Sequence, residues 1–218
     1  MASRSLRRTL FGNPVARTLL SVWAWLVLVV LLIVFLPLVA IVRLVTQPFD
    51  RGHYWAGWLF RRIGPVHQFL NPLWHFRTTG RRIDDPRHPY VVVANHESFV
   101  DMLLISHLPW EMKWLAKEDF FRYPFVGWLM RLVGDVRLKR GDAQSIVSAI
   151  KGCNDRLSKG VSVMLFPEGT RSRDGYLYKG RTGAARLAMK VGCPIFPVGV
   201  VGTREIQPPD AKAPRLRL

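Results

Sequence analysis

The sequence predicts an α/β fold: a mostly parallel central sheet flanked by helices, with an N-terminal hydrophobic helical membrane-binding segment. Three observations predict it. A charge-free apolar run fills Leu19 to Val42. From about residue 80, short β-branched runs alternate with stretches of helical spacing, the pattern of a layered α/β domain. Polar motifs follow directly after the apparent strands, where ligands gather in open parallel sheets.

The chain has 218 residues, enough for one medium domain with a core plus an appendage. Two regions are expected: residues 1–78 as a membrane-anchoring helical region and residues 79–218 as the α/β domain. The formal charge is +17, from 32 Lys+Arg against 15 Asp+Glu. Such a balance points to an anionic partner: nucleic acid, an anionic membrane surface or a phosphorylated substrate. Cys153 and Cys193 form neither a disulfide framework nor a zinc spacing, so two small buried residues in a reducing compartment are expected.

Read as helix, the 24 residues from Leu19 to Val42 span roughly 36 Å, enough to cross a bilayer core. The run is too long for a secretory signal, and no small-x-small cleavage site follows it. Arg4, Arg7, Arg8 and Arg17 precede it, while Arg43, Arg51, Arg61 and Arg62 follow, so flanking charge sets no orientation. Pro37 can kink the helix near its end. The segment 53–76 mixes Tyr54, Trp55, Trp58, Phe60, Phe69 and Trp74 with Arg61 and Arg62. It reads as an interfacial amphipathic segment, rings at the headgroup level and arginines on phosphates. Two arrangements stay open: both segments dipping into the cytoplasmic leaflet and returning, or a single span with an aromatic belt.

The domain reads in order. Tyr90 to Ala94 is a buried strand and Ser98 to His107 the helix after it. Met112 to Ala116 and Asp135 to Lys139 are further strands. Ala143 to Leu157 places Ile146, Val147, Ile150 and Leu157 at helical spacing. Val161 to Phe166 is another buried strand. Thr182 to Val191 is a helix ended by Gly192, and Pro194 to Val201 a last strand.

Four motifs follow these strands. In NHESFVD (Asn95 to Asp101), His96 and Asp101 are five residues apart. On one continuous helix that spacing sets them about 140° apart. They meet only if His96 lies in the turn before the helix and Asp101 in its first turn. Ser98 then reads as an N-cap with Asp101 three residues on, a variant of the capping box. Two readings stand: a plain helix cap, or a pair in which Asp101 fixes the imidazole tautomer and the other ring nitrogen takes a proton from a hydroxyl. No serine or cysteine nucleophile is paired with this histidine, so the substrate's own hydroxyl would attack. In FPEGTRS (Phe166 to Ser172), Gly169 permits close backbone approach, Arg171 and nearby Arg173 suit phosphate, and Glu168 can accept from a hydroxyl; a solvated turn is the plain alternative. In GDVRLKR (Gly134 to Arg140), Arg137 and Lys139 alternate with apolar residues like the exposed face of an edge strand, and Arg140 at its end is the phosphate candidate. CPIFPVGV (Cys193 to Val200) reads as structural or as the lining of an apolar slot.

Together and in this order, these four motifs resemble the blocks of the glycerolipid acyltransferase family, typified by 1-acyl-sn-glycerol-3-phosphate acyltransferases. The resemblance covers roughly residues 88–204 and is most specific in its first and third blocks. The second departs from the family pattern, with Arg137 and Lys139 where an apolar residue and an acid are usual. The resemblance implies that His96 is the base and Asp101 its partner. It also implies that Arg140, Glu168, Gly169 and Arg171 bind a glycerol phosphate. Lys117, in a stretch like the family's connector, either faces the acidic substrate or is a plain surface lysine. The implied reaction moves a fatty acyl chain from acyl-CoA or acyl carrier protein to the sn-2 hydroxyl of lysophosphatidic acid, with no metal or cofactor. The implied partners are a lipid bilayer, a lysophospholipid acceptor and the acyl thioester, with no nucleic acid. The implied place is an inner membrane of bacterial type, catalytic domain on the cytoplasmic face. A sister enzyme acting on glycerol 3-phosphate, another lysophospholipid or an amino-acid lyso-lipid, or a non-enzymatic basic membrane adaptor, are the alternatives.

Overall fold

The computed structural model describes residues 14–71, 74–81 and 83–209. Arg4, Arg7 and Arg8, the side chain of Arg17 and the final PRLRL lie outside the described residues.

Helix α1 (Pro14–Thr46) runs unbroken through Pro37. One stripe of it is buried, at Ala24, Val27, Leu31, Phe35 and Val39. These recur every three or four residues, the spacing of one helix face. The stripe packs on α2 (Tyr54–Arg61), on α3 (Ile63–Leu70) and on α5 (Val126–Val133). The N-terminal helices therefore share one core with Phe121, Leu129, Met130 and Val133 of the later chain. The opposite face of α1 is also apolar but exposed, including Leu26, Val30, Ile33, Val34 and Ile41. An exposed apolar surface this long marks a membrane or partner contact. Among the described residues, α1 is the one helix long and apolar enough to cross a membrane.

Five strands form one parallel sheet: β1 (Val91–Ala94), β2 (Met112–Lys117), β3 (Val136–Leu138), β4 (Ser162–Leu165) and β5 (Ile195–Val198). Their spatial order is β3-β2-β4-β1-β5. Val91 registers with Val163 on one side and Ile195 on the other, and Leu115 with Val136. The valine-rich β1 and the fully buried β4 sit inside the sheet, where both their faces are covered. Val91, Val163 and Leu165 pack beneath α6 (Ala143–Ser158) and α7 (Gly183–Val191). Val92 and Met164 face Ile105, Trp110 and Trp114 on the other side. Asp142 caps α6, its Oδ1 accepting from the Ser145 amide at 3.1 Å. Cys153 lies in this core, burial pushing its thiol up to about 12, and Cys193 is a half-buried free thiol.

Two expectations change. The helix placed at Ser98 to His107 shortens to α4 (Asp101–Ile105), and Ser98 is not its cap. Ser98 Oγ instead donates to the Gln207 carbonyl and accepts from the Val100 amide. In the segment 53–76 Arg61 is buried and not held out toward phosphates. Arg61 points inward and pairs with Asp135 at 2.5 Å, and Arg62 donates to the Leu108 carbonyl while covering the Trp58 ring. Lys113 and Glu111, fully buried and 2.8 Å apart, complete a charged seam between α2 and β2. Gly57 makes room for it: a Cβ there would stand 2.0 Å from Glu111 Oε1 and 2.4 Å from Lys113 Nζ. The sequence placed Arg61 on headgroup phosphates because a buried arginine becomes readable only with its distant acid in view.

Candidate active site

All five strands run the same way, so their carboxyl ends share one edge. His96 follows β1, the FPEGTRS loop follows β4, Lys117 ends β2, and Arg140 lies just beyond β3. Because β4 neighbours β1, the first and third motifs meet; β3 is three strands from β1, roughly 14 Å across the sheet.

His96 sits in the turn before α4, and Asp101 is the first residue of that helix. His96 Nδ1 lies 2.7 Å from Asp101 Oδ2. A carboxylate accepts, so Nδ1 carries the hydrogen and Nε2 keeps the lone pair. Asp101 is fully buried and held by further donors. The Glu97 and Ser98 amides donate to Oδ2 at 2.8 and 3.0 Å, and the Thr203 hydroxyl donates to Oδ1. Asp101 thus caps its own turn and orients the histidine with one carboxylate. The imidazole stacks on Phe166, ring centroids 3.9 Å apart and planes 14° apart. Its side chain stays 16% exposed, so one edge is open to a reactant.

The His96 backbone is gripped by the β4 loop. Its N–H donates to Glu168 Oε1 at 3.0 Å, and its carbonyl accepts from the Ser172 amide at 2.7 Å. The other Glu168 oxygen accepts from the Tyr178 amide at 2.9 Å. Glu168 is therefore buried with both oxygens on main-chain amides, and its visible work is to tie the two loops together. Gly169 takes a φ of 71°, and its N–H closes the turn onto the Phe166 carbonyl. Asn95 copies a strand residue, exchanging hydrogen bonds with Val200 N and O at 2.7 and 2.8 Å. Beside it, burial and the Asp101 charge raise the Glu97 carboxyl above its usual range.

Arg171, Arg140 and Lys117 are the basic candidates around this edge. Arg171 is half-buried and Arg140 exposed, and neither has an acidic partner among the described residues. Lys117 is half-exposed and paired with Asp119. Arg137 is exposed on edge strand β3 and Lys139 is exposed just beyond it. Thr203, Phe166 and Asn95 belong to the site and escaped sequence reasoning. Thr203 carries no local signal, lying 102 residues from the carboxylate it serves.

An apolar cavity of about 630 Å³ opens among α1, α3, α4, β2 and α5. Trp25, Leu28, Phe99, Met102, Trp114 and Phe120 are in its wall. Phe99 lies between His96 and Asp101 in sequence, so the cavity adjoins the turn that pairs them. Its charged lining residues, Arg61 and Asp135, are paired with each other. A smaller cavity of about 440 Å³ opens beside Glu97 and Arg204.

Fold and site together define an α/β protein that pairs a histidine with a buried aspartate beside an apolar cavity. Comparison with known proteins narrows this. Residues 75–201 match the Acyltransferase family, and the chain belongs to it. A chloroplastic 1-acyl-sn-glycerol-3-phosphate acyltransferase of Arabidopsis thaliana is 36% identical over 183 residues, covering 83% of this chain and 49% of that protein. One from Brassica napus is 42% identical over 120 residues, covering 55% of this chain and 35% of that one. The chain spans about half or less of the length of these relatives. The crystal structure of the 1-acyl-sn-glycerophosphate acyltransferase PlsC from Thermotoga maritima shares the fold, with a TM-score of 0.75 at 24% identity, covering 92% of this chain and 80% of that one.

Proposed function

We propose that this protein transfers a fatty acyl chain from a thioester to the sn-2 hydroxyl of lysophosphatidic acid, giving phosphatidic acid. The observation that carries the reading is the His96–Asp101 contact, 2.7 Å from Nδ1 to Oδ2, in a turn that adjoins a large apolar cavity. His96 Nε2 removes the acceptor's hydroxyl proton as its oxygen attacks the thioester carbonyl carbon. The tetrahedral intermediate collapses, the C–S bond breaks, and the departing sulfur takes the proton back from the imidazolium. Asp101 stabilises that imidazolium and keeps Nε2 in the reactive tautomer. Arg140, Arg171 and Lys117 offer cationic groups for the acceptor's phosphate, and Glu168 and Gly169 hold the loop that carries Arg171. The cavity lies in the size range of small-molecule sites and suits an acyl chain. The thioester, on coenzyme A or acyl carrier protein, serves as co-substrate.

Helix α1 also supports a monotopic placement. Its buried stripe runs alongside the α/β core, so its outer face meets lipid while the catalytic edge stays at the cytoplasmic surface. The test uses purified protein in detergent with labelled acyl-CoA or acyl carrier protein and a panel of lyso-acceptors. Transfer to lysophosphatidic acid that disappears in His96→Ala is expected. Wild-type preference for a different acceptor defeats the substrate assignment, and an active His96→Ala defeats the mechanism.

A further inference from the structure

A third cavity, of about 410 Å³, lies away from the His96–Asp101 turn. Arg43, His53, Trp128, Arg131, Gly134 and Arg156 line it. Arg43 is 18 residues beyond Trp25, whose ring packs near Phe99. That separation is roughly 27 Å along α1.

The charge around this cavity is one-sided. Arg43 Nη1 is buried and has no hydrogen-bond partner among the described residues. Arg156 is fixed in place, its Nε donating to the Gly134 carbonyl at 2.9 Å and its Nη1 pairing with Asp155 at 2.5 Å. Arg131 is anchored by donating to the Phe121 carbonyl. Asp155 answers one of the three guanidiniums, and Asp50 is turned away, accepting from the Trp55 amide. His53 sits in the left-handed region at φ 56°, its Nδ1 3.3 Å from the Asp50 carbonyl. Its pKa is lowered from 6.5 to about 4, by burial first and then by Arg43. A neutral histidine held among arginines, beside a buried guanidinium nitrogen left unpaired, describes a site waiting for an anion.

The rim says which anion. Leu44, Val45 and Phe49 continue from Arg43 as exposed apolar residues, 71%, 64% and 71% accessible, and Trp128 is exposed beside the guanidiniums. Free phosphate has no use for such a rim. A phospholipid does: its phosphate enters the cavity and its chains lie along the apolar end of α1, with the indole at the interface. We propose that this cavity is a second, non-catalytic site for the phosphate of an anionic phospholipid, gripped by Arg43 and Arg131 at the far end of α1. It anchors the end of the helix remote from the reactive turn, and so sets how the catalytic edge meets the bilayer.

The full chain in detergent is tested in two ways. The first is flotation on phosphatidylcholine vesicles with and without phosphatidic acid. It compares wild type with Arg43→Gln/Arg131→Gln and with Lys151→Gln/Lys190→Gln, which removes equal charge from exposed positions outside the cavity. Loss of surface charge costs roughly fivefold per residue on an anionic bilayer. The cavity pair is expected to lose about tenfold more than the control pair, because it also forfeits charge-assisted hydrogen bonds. Equal losses overturn the proposal. The second is an NMR titration of the His53 ring in wild-type protein, which needs no folded variant. Short-chain phosphatidic acid is expected to raise its pKa, and phosphatidylcholine to leave it unmoved. An unmoved His53 overturns the site. An equal response to inorganic phosphate overturns the lipid assignment.

Discussion

Replacing Asp101 by Asn isolates the charge of the dyad from its geometry. The carboxylate receives the imidazole and two amides on Oδ2 and the Thr203 hydroxyl on Oδ1. An asparagine can put its carbonyl at Oδ2, keeping those three acceptances, and its NH₂ at Oδ1, where the Thr203 hydroxyl can turn to accept. The fold of the turn should therefore survive, at about 1 kcal/mol of stability. What is lost is the negative charge facing an imidazolium as it forms. At about 4 Å between charge centres and an effective dielectric near 20, that attraction is roughly 4 kcal/mol. It corresponds to about a 10³-fold fall in kcat, inside the range of general-base effects. Single-turnover transfer from labelled acyl-CoA to lysophosphatidic acid, with KM measured alongside, is the assay. A kcat within about fivefold of wild type, with the melting temperature intact, refutes the role given to Asp101.

Further outcomes follow from the same geometry. Glu168→Gln places an NH₂ against one of the two amides its carboxylate now receives, loosening His96; kcat should fall about tenfold or more with little change in KM. Thr203→Val strips one donor from the buried Asp101 carboxylate and should cost about 1–3 kcal/mol in urea unfolding, with a smaller loss of kcat than Asp101→Asn. Gly57→Ala drives a methyl into the Glu111–Lys113 pair and should cost about 3 kcal/mol, measured by thermal unfolding. His53, His67 and His107 are all lowered below 6.5, burial being the first cause in each. Between about pH 4 and 6.5 the unfolded chain then binds protons the folded chain refuses, so stability is complete above 6.5 and falls on acidification. Discounted for solvent exposure, His53 contributes about 1 kcal/mol of that loss. His53→Gln should flatten the slope in denaturant titrations across this window, and an unchanged slope would contradict the burial argument.

Much of the architecture was legible because it is local. Runs such as Val91–Val93 can only be inner strands, and the spacing in Ala143–Ser158 announced a helix, although the face it covers carries Ala149, Cys153 and Leu157 while Ile146, Val147 and Ile150 stay exposed. The dyad's geometric demand was legible too. Five residues of spacing required His96 outside the helix and Asp101 in its first turn, and α4 begins at Asp101. The apolar length of α1 announced a membrane contact but not its form, because hydropathy cannot tell a face packed on protein from one left to lipid. α5 went unread, its short run embedded among aromatic residues with no capping side chain at its N-terminus.

What tertiary structure alone decided is who answers whom across the chain. Glu168 reaches the His96 amide because the order β3-β2-β4-β1-β5 makes β4 and β1 neighbours, although 72 residues separate the two in sequence. Thr203 reaches Asp101, and Arg61 abandons the surface for Asp135, by the same long-range placement. The sequence by itself determined the elements, the order of the motifs and the chemistry each side chain could offer. The structure decided which of those groups meet and which face water, because periodicity records a residue's own turn or strand, whereas a buried hydrogen bond depends on a partner that only the folded sheet brings within reach.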